Sequence, residues 1–451
     1  MRKLKSIYDY RPKYVHVDLL KKPYRDWIGF LRASESWNIE KIADYQTKEL
    51  LRVFSYAYEN CKGYRRFYNS HGIFLDSLRT MEDFRKLPLI TKDIIRGNLE
   101  DFSVKTRNRK YVTTGGTTGR PFGFYHDRTA FAKELASKAY QYYRLGWKEG
   151  DRQMILRGLV IPSSNHVRYY PRFNELRCSS YHLVPEWMEF YRQRALEFRP
   201  EWIKCYPSSG SIFAKFIEET GKPFPPVKGI LCTSENLYPH QKKLLSRALN
   251  TRVFCHYGHY EMAVLAGFCE YEDTYHVLPQ YGFAELIDEK GAPVTEPGKV
   301  GEIVGTSFIN QVTPFIRYRT GDFAVLKGWD CPSCKRLYQI WERIEGRWLQ
   351  EFIVTGQNRY ISMTALNMHD DIYDHIKQFQ FYQEQKGYVV FRFVPKDSCN
   401  EKAVSYMKRR LLIKLGDDVH LEMNPVKEIP LTKRGKHRFI IQKLKLEFED
   451  V

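Results

Sequence analysis

From residue 110 to about 340 the chain alternates short β-branched or aromatic runs with stretches of helical character, and no other feature narrows its fold as far. The runs are YVTT, FGFYHD, QMILRGLVI, KGILCTS, TRVFCHYG and GEIVGTSF; between them lie segments such as RTAFAKELASKAYQYYRLGW and LYPHQKKLLSRALN. Strands that take turns with helices bury sheets between helical layers, so the order predicts an α/β domain. Upstream, IEKIADYQTKELLRVFSYAYENC sets Ile39, Ile42, Leu50, Val53, Phe54 and Ala57 at three- and four-residue steps, which predicts a packed surface helix. LPLITKDIIRGNLEDF (87–102) reads as a turn at Pro88 followed by a short helix with Thr91 as its N-cap. Downstream, GYVVFRFVP predicts a strand, KAVSYMKRRLLIKLG a helix and VHLEMNPVKEIP a strand. That order implies a separate α+β domain of roughly a hundred residues.

Length and charge exclude several classes. With 451 residues, about three times the ~150-residue domain prior, the chain is no disulfide-stapled module. No segment approaches the ~18 consecutive apolar residues of a membrane span. The basic start, MRKLKSIYDYRPKYVHVDLL, lacks a continuous apolar core and a small-residue cleavage site, so a cytoplasmic location is expected. Lys+Arg exceed Asp+Glu by 72 to 53, giving +19, but the excess is dispersed along the chain. Dispersed charge decorates a solvated surface more readily than it builds a specific nucleic-acid groove. Nine cysteines, an odd number at mostly irregular spacing, argue for reduced thiols, with Cys331 and Cys334 in CPSC the one regular pair.

Four short segments carry chemistry. YVTTGGTTGRPFGFYHD (111–127) puts glycines and threonines between two strands, a loop whose amides and hydroxyls can wrap an oxyanion, although the same pattern suits a plain hairpin. It has neither a Walker ending nor Rossmann glycine spacing. VFCHYGHYEM (253–262) would place Glu261 at the carboxyl end of a strand, where α/β sheets bind ligands and a carboxylate can hold Mg²⁺. In FIRYRTGDFAVL (315–326), Asp322 could accept the two hydroxyls of a ribose, or mark an everyday Gly-Asp turn. IPLTKRGKHRFIIQKL (429–444) offers Lys436 in a cationic loop as a point charge for a phosphate or carboxylate.

Taken in order, TTGGTTGRP, YGHYE, YRTGD with Gly346-Arg347, and the late Gly435-Lys436 resemble the adenylate-forming superfamily of acyl-CoA synthetases and adenylation domains. LLRVFSYAYENCKGYRRFY, LPLITKDIIRGNL, RLGWKEGDR and CYPSSGSI look like the phenylacetate-CoA ligase-like branch, including its capsular-polysaccharide CapK type, over roughly residues 45–445. The resemblance implies an α/β fold with a large N-terminal domain of helix-flanked sheets, residues 1–346, and a small mobile C-terminal α+β domain, residues 347–451. It implies that Thr113, Thr114, Gly115, Gly116, Thr117, Thr118 and Gly119 hold the ATP β- and γ-phosphates, Glu261 holds Mg²⁺, and Asp322 with Arg347 holds the ribose. Tyr257 would stack near adenine or the acyl group, and Lys436 would sit between the α-phosphate and the attacking carboxylate. The sequence departs from the family's usual pattern at Phe122 (usually Lys), at Tyr260 (usually Thr), and in the hinge, which reads GRWLQEF and leaves rotation to Gln350 or Glu351.

The reaction so implied has two halves: a carboxylic acid attacks MgATP to give acyl-AMP and pyrophosphate, and a thiol or amine then takes the acyl group. CoA is the acceptor suggested by the phenylacetate-CoA ligases, and an amine or hydroxyl of a polysaccharide precursor or amino acid the one suggested by the CapK type. A non-catalytic nucleotide or glycan binder and a nucleic-acid binder are the alternatives; a homodimer is compatible with either reading. CPSC with Cys269 and His276 in FCEYEDTYH has the makings of a Cys3His zinc site, as in some phenylacetate-CoA ligase-like proteins; otherwise the thiols simply pack a loop.

Overall fold

The strands Gln153–Arg157, Trp202–Cys205, Gly229–Thr233 and Val253–Gly258 are short and largely apolar, as strands covered on both faces must be. In the computed structural model they lie side by side and parallel at the centre of a twelve-stranded sheet. The model describes residues 16–114, 122–159, 161, 165–345, 352–362, 366, 371–373, 375–430 and 439–444. From one edge the sheet runs Gly282–Ile287, Val300–Ser307, Tyr318–Gly328, Ile340–Glu345, Tyr275–Val277 and Leu265–Phe268, all antiparallel. It then passes through Val253–Gly258, Gly229–Thr233, Trp202–Cys205, Gln153–Arg157 and Glu175–Ser179, all parallel, to an antiparallel edge strand, Val167–Tyr170.

Helices cover this sheet on both faces. Arg128–Arg144, capped by the Asp127 side chain accepting the Ala130 amide at 2.7 Å, packs on one face through Ala132, Ala136, Ala139 and Tyr142. Such a cap is worth ~1 kcal/mol. Pro207–Thr220 and Pro239–Ala248, each opened by proline in its first turn, pack on the other, where Gly210 lies against Cys205 and Leu245. All nine cysteines are free thiols. Among the described residues no helix is long and apolar enough to cross a membrane.

The N-terminal helix Ile39–Asn60 forms as expected and buries Ile42, Leu50, Val53, Phe54 and Ala57. Ile39 is its first residue and is 60% exposed, because the helix begins there and the residue has no preceding turn to lie over. Thr91 caps Lys92–Arg96, its hydroxyl accepting the Ile94 amide. Just before that cap the backbone joins the sheet: the Ile90 amide donates to the Arg317 carbonyl at 3.0 Å and the Arg319 amide donates to the Ile90 carbonyl at 2.9 Å, a parallel bridge to Tyr318. Buried Arg317 forks onto Glu285 at 2.9 and 3.0 Å and donates to the Arg85 and Leu87 carbonyls.

A second, smaller α+β unit follows. Its four strands run His420–Pro425, Tyr388–Pro395, Ile376–Gln385 and Ile440–Gln442, and helix Glu401–Leu415, capped by Asn400, packs on them. Phe379, Phe381, Phe391, Met407 and Leu411 make its core, and Tyr181 and Tyr206 of the larger unit are buried in that same core. Arg359, 3% exposed, clasps the two units. Its guanidinium donates to the Tyr181 carbonyl on one side and to the Leu415 carbonyl and Asp418 on the other.

Candidate functional site

The segment VFCHYGHYEM folds as a strand that ends at Gly258 and turns back into Leu265–Phe268. The Met262 amide donates to the His259 carbonyl at 3.1 Å, and Met262 adopts a left-handed φ of 60° that a side-chain-bearing residue holds only under constraint. The Ser307 hydroxyl, donating to the Met262 carbonyl at 2.7 Å, supplies that constraint. The turn sets Glu261 inside the protein at 3% exposure. Tyr318 donates its hydroxyl to Glu261 Oε1 at 2.7 Å, Lys92 Nζ stands 3.3 Å from the same oxygen, and His259 Nδ1 is 3.3 Å from Oε2. The Val264 amide donates to His259 Nε2 at 3.2 Å, which leaves the ring proton on Nδ1, toward the carboxylate. Burial by itself would raise the pKa of Glu261. Lys92, His259 and Tyr318 together outweigh it and hold the group ionised, below the ordinary carboxylate range.

Asp322 is not at a turn between elements. It lies within the single strand Tyr318–Gly328, at a bulge where the pairing with Val300–Ser307 jumps from Val304–Arg319 to Glu302–Phe323. Gly321 there has φ 72°, open to glycine at little cost, and the Thr320 hydroxyl donates to the Ile303 carbonyl at 2.7 Å while accepting the Asp322 amide at 3.1 Å. The bulge turns half-buried Asp322 to Tyr257, whose hydroxyl donates to Oδ2 at 3.1 Å. Burial, then the Asp322 charge, drive the Tyr257 hydroxyl well above its ordinary range, so it stays a donor. The Tyr257 ring meets Trp341 edge-on at 5.8 Å, and the His259 ring lies 6.0 Å from Tyr257 and 6.3 Å from Tyr318. Glu261 and Asp322 therefore belong to one polar cluster built on Tyr257, His259 and Tyr318.

The runs that flank the Gly/Thr loop pair with each other. Lys110–Thr114 pairs antiparallel with Phe122–His126, closing with Thr114 opposite Phe122. Phe122 is fully buried with its ring stacked 6.4 Å from Tyr318, the tyrosine that holds Glu261. The open end of the hairpin thus stands beside the carboxylate cluster. Phe122, where the resembling family usually has Lys, packs as core; Tyr260 lies edge-on to Phe124 at 6.0 Å. Thr113 is buried on the first strand, while Gly115, Gly116, Thr117, Thr118 and Gly119, together with Arg347 and Lys436, lie outside the described residues, as do Gln350 and Glu351.

Sequence reasoning passed over Lys92, His259 and Tyr318. Each stands inside a quoted segment, but Lys92 was read only as helix, and its approach to Glu261 depends on the bridge from Ile90 to Tyr318, which joins residues far apart in sequence.

A second cluster gathers at the far end of the antiparallel strands. Cys269 follows Leu265–Phe268, His276 lies in Tyr275–Val277, and Cys331 and Cys334 occupy the loop before Ile340–Glu345. One ligand atom from each lies within 4.8 Å of all the others, and Cys334 Sγ is 3.7 Å from His276 Nδ1. Tetrahedral ligands at Zn–S ≈ 2.3 Å sit about 3.8 Å apart, so the donor set fits Zn²⁺. The Tyr271 and Cys334 amides point to Cys269 and Cys331 sulfur at 3.4 and 3.5 Å, with Lys335 left-handed at φ 62°; burial raises both thiols above their ordinary range and these amides partly offset it. Burial, then the Arg144 and Arg336 charges, push His276 down to about 4, keeping it neutral and able to ligate. Among the described residues its Nε2, which is buried, has no hydrogen-bond partner of the kind that commonly braces a ligating histidine.

Comparison with known proteins agrees with this architecture. Residues 353–443 match the family model of the CapK C-terminal domain. The chain is 24% identical over 422 residues to Protein CapK of Staphylococcus aureus, covering 89% of each. It is 24% identical over 341 residues to phenylacetate-coenzyme A ligase of Escherichia coli (strain K12), covering 73% of this chain and 76% of that one. Among solved structures, 2-hydroxyisobutyryl-CoA ligase in complex with 2-HIB-AMP and CoA superposes with a TM-score of 0.62 at 18% identity, over 91% of each chain. That ligase shares the fold, its small C-terminal domain included.

Proposed function

Since the chain belongs to the adenylate-forming superfamily, in its phenylacetate-CoA ligase-like, CapK-type branch, we propose that it activates a carboxylic acid as acyl-AMP and passes the acyl group to a thiol such as CoA or to an amine. The observation that carries this reading is the convergence of ionised Glu261, Lys92 and Asp322 on one polar cluster beside the open end of the Gly/Thr hairpin. Glu261 offers a hard oxygen for Mg²⁺, which when bound neutralises phosphate charge. Lys92 sets a cation beside Glu261 and within reach of a phosphate held at the hairpin. Asp322, oriented by Tyr257, accepts the ribose hydroxyls. We place the domain division at residues 346 and 347, with Lys436 of the small domain completing the first half-reaction by balancing charge between the α-phosphate and the attacking carboxylate.

On this reading Cys269, His276, Cys331 and Cys334 hold one structural Zn²⁺ that pins the loop following the Asp322 strand. The absence of the threonine hydroxyl usual at Tyr260 and of the lysine usual at Phe122 is offset by Lys92, whose short helix packs on the Phe122–His126 strand. The deciding experiment is acid-dependent ATP–pyrophosphate exchange across aliphatic, aromatic, amino and sugar acids, with mass spectrometry of products formed with CoA or amines. Exchange with at least one acid is expected; no exchange together with no ATP binding by calorimetry would sink the enzymatic reading.

A further inference from the structure

The parallel strands carry an unexpected row of polar side chains on one face. Ile155, Lys204, Leu231 and Phe254 are in register across four strands, and two residues further along Arg157 on the first strand and the paired Thr233 and His256 follow on the same face. That face lies under helix Arg128–Arg144: Tyr142 donates or accepts a hydrogen bond at His256 Nδ1 at 3.0 Å, and Lys204 Nζ stands 4.9 Å over the Tyr142 ring. The opposite face repeats Cys205, Cys232 and Cys255, the small apolar residues that a helix-covered sheet calls for.

The charges on this face are poorly balanced. Among the described residues neither Lys204 nor Arg157 makes an ion pair, and Arg157 Nε is buried with no hydrogen-bond partner. Lys138, from the helix above, is paired with Glu134. The Glu175 carboxylate, whose field reaches Lys204, is itself held by Arg177 at 2.6 Å. Burial, then the Arg157 charge, push the Lys204 ammonium down to about 8, and burial with Lys138, Lys204 and Arg157 keeps His256 neutral. The Lys204 and Arg157 side chains are both half-buried, Arg157 lying 5.4 Å over the Tyr206 ring, and a cation partly withdrawn from water gains from an anion beside it. Lys138, Tyr142 and Lys204 line one cavity, and Tyr142 lines a second with His256. Glu149 and Gln153 stand at the outer end, Glu149 already accepting the Tyr24 and Tyr143 hydroxyls.

From this face, and resting on the adenylation reading, we infer that the acid activated here carries a second anionic group, a carboxylate or a phosphate, which Lys204 and Arg157 receive between the sheet and helix Arg128–Arg144. His256 is the strand neighbour of Tyr257, so the row begins at the nucleotide end of the site. Lys204 lies two residues deeper and two strands across, about 12 Å from backbone to backbone at ordinary strand rise and spacing, of which the lysine side chain itself spans a part, leaving room for a short chain between the reacting carboxylate and the distal group.

The test compares succinate, glutarate, adipate and 3-phosphonopropionate with butyrate, valerate and the monomethyl esters of the dicarboxylates in ATP–pyrophosphate exchange. Wild type should favour the dianionic acids by at least ~100-fold in kcat/KM, since a monoanion leaves both cations unpaired. Lys204→Arg should keep the preference; Lys204→Met should remove it while leaving ATP affinity unchanged and the melting temperature equal or higher. Equal use of monoanionic acids by wild type overturns the inference and leaves the adenylation reading standing. If none of the acids supports exchange, calorimetric titration of glutarate against wild type and Lys204→Met decides, and equal affinity overturns the inference. Failure to bind ATP strikes the underlying reading instead.

Discussion

Lys92 Nζ and Glu261 Oε1 lie 3.3 Å apart, a cation from the N-terminal segment facing a carboxylate from a turn at the centre of the sheet. Removing the cation should expose the cost of burying that carboxylate. With Lys92 present, Glu261 titrates below its unfolded value of ~4.3, so it adds stability above that pH and loses it as pH falls through the depressed folded value. In Lys92→Met the burial penalty loses its largest offset and the folded value rises. The variant's deficit in melting temperature relative to wild type should therefore be larger at pH 7 than at pH 4; an equal deficit at both would show that the two groups are not coupled.

Asp322→Ala should weaken ATP binding at least tenfold, about 1.4 kcal/mol, because the ribose would lose a charged acceptor. Tyr257→Phe should cost less, a few-fold, since it removes only the hydroxyl that orients Asp322. Calorimetric titration with MgATP gives both values, and the order of severity is the informative result.

Replacing Lys436 by Ala should lower acid-dependent pyrophosphate exchange by orders of magnitude and leave ATP binding nearly intact, because its interaction belongs to the first transition state. Transfer from a chemically prepared acyl-adenylate should survive. Wild-type exchange rates in this variant would move the role to another lysine, Lys433 first.

Untagged protein should carry one zinc per chain by elemental analysis. Cys331→Ser or a strong chelator should lower the melting temperature far more than it lowers exchange measured at low temperature, as expected of a structural metal. Acid should release the metal, since its ligands must be deprotonated to hold it.

Arg359→Met should loosen the docking of the two units. The substitution leaves Asp418 buried against the unit boundary without its cation, a class of change that costs ~3–5 kcal/mol. Hydrogen exchange should rise at residues 179–183 and 415–418 together, while the central parallel strands stay protected.

Much of this architecture can be read from periodicity and turn chemistry. Strand identity at QMILR, GILCT and VFCHYG, the capped helix after Thr91 and the long helix from Ile39 all follow from local pattern, because local pattern is what sets them. Asp322 was ambiguous in sequence because Gly-Asp suits both a turn and a bulge, and only the pairing of its strand with Glu302 and Val304 decides between them. Lys92 and the Lys204–Arg157 face escaped notice for a related reason. Each depends on which strand lies beside which, and a single polar residue in an apolar strand gives no hint that its neighbours across the sheet carry one as well.

Tyr181 and Tyr206 sit in the core of the C-terminal unit although the chain delivers them from the middle of the larger one. In terms of inheritance, the exchangeable module is then not the stretch that follows residue 346. A chimera that grafts the C-terminal unit of a relative onto this body would meet two foreign aromatic rings inside its own core, and a recombination that prospers would have to bring those two positions along. The seam between the parts runs through the packing, and a cut drawn only along the backbone would divide a single core.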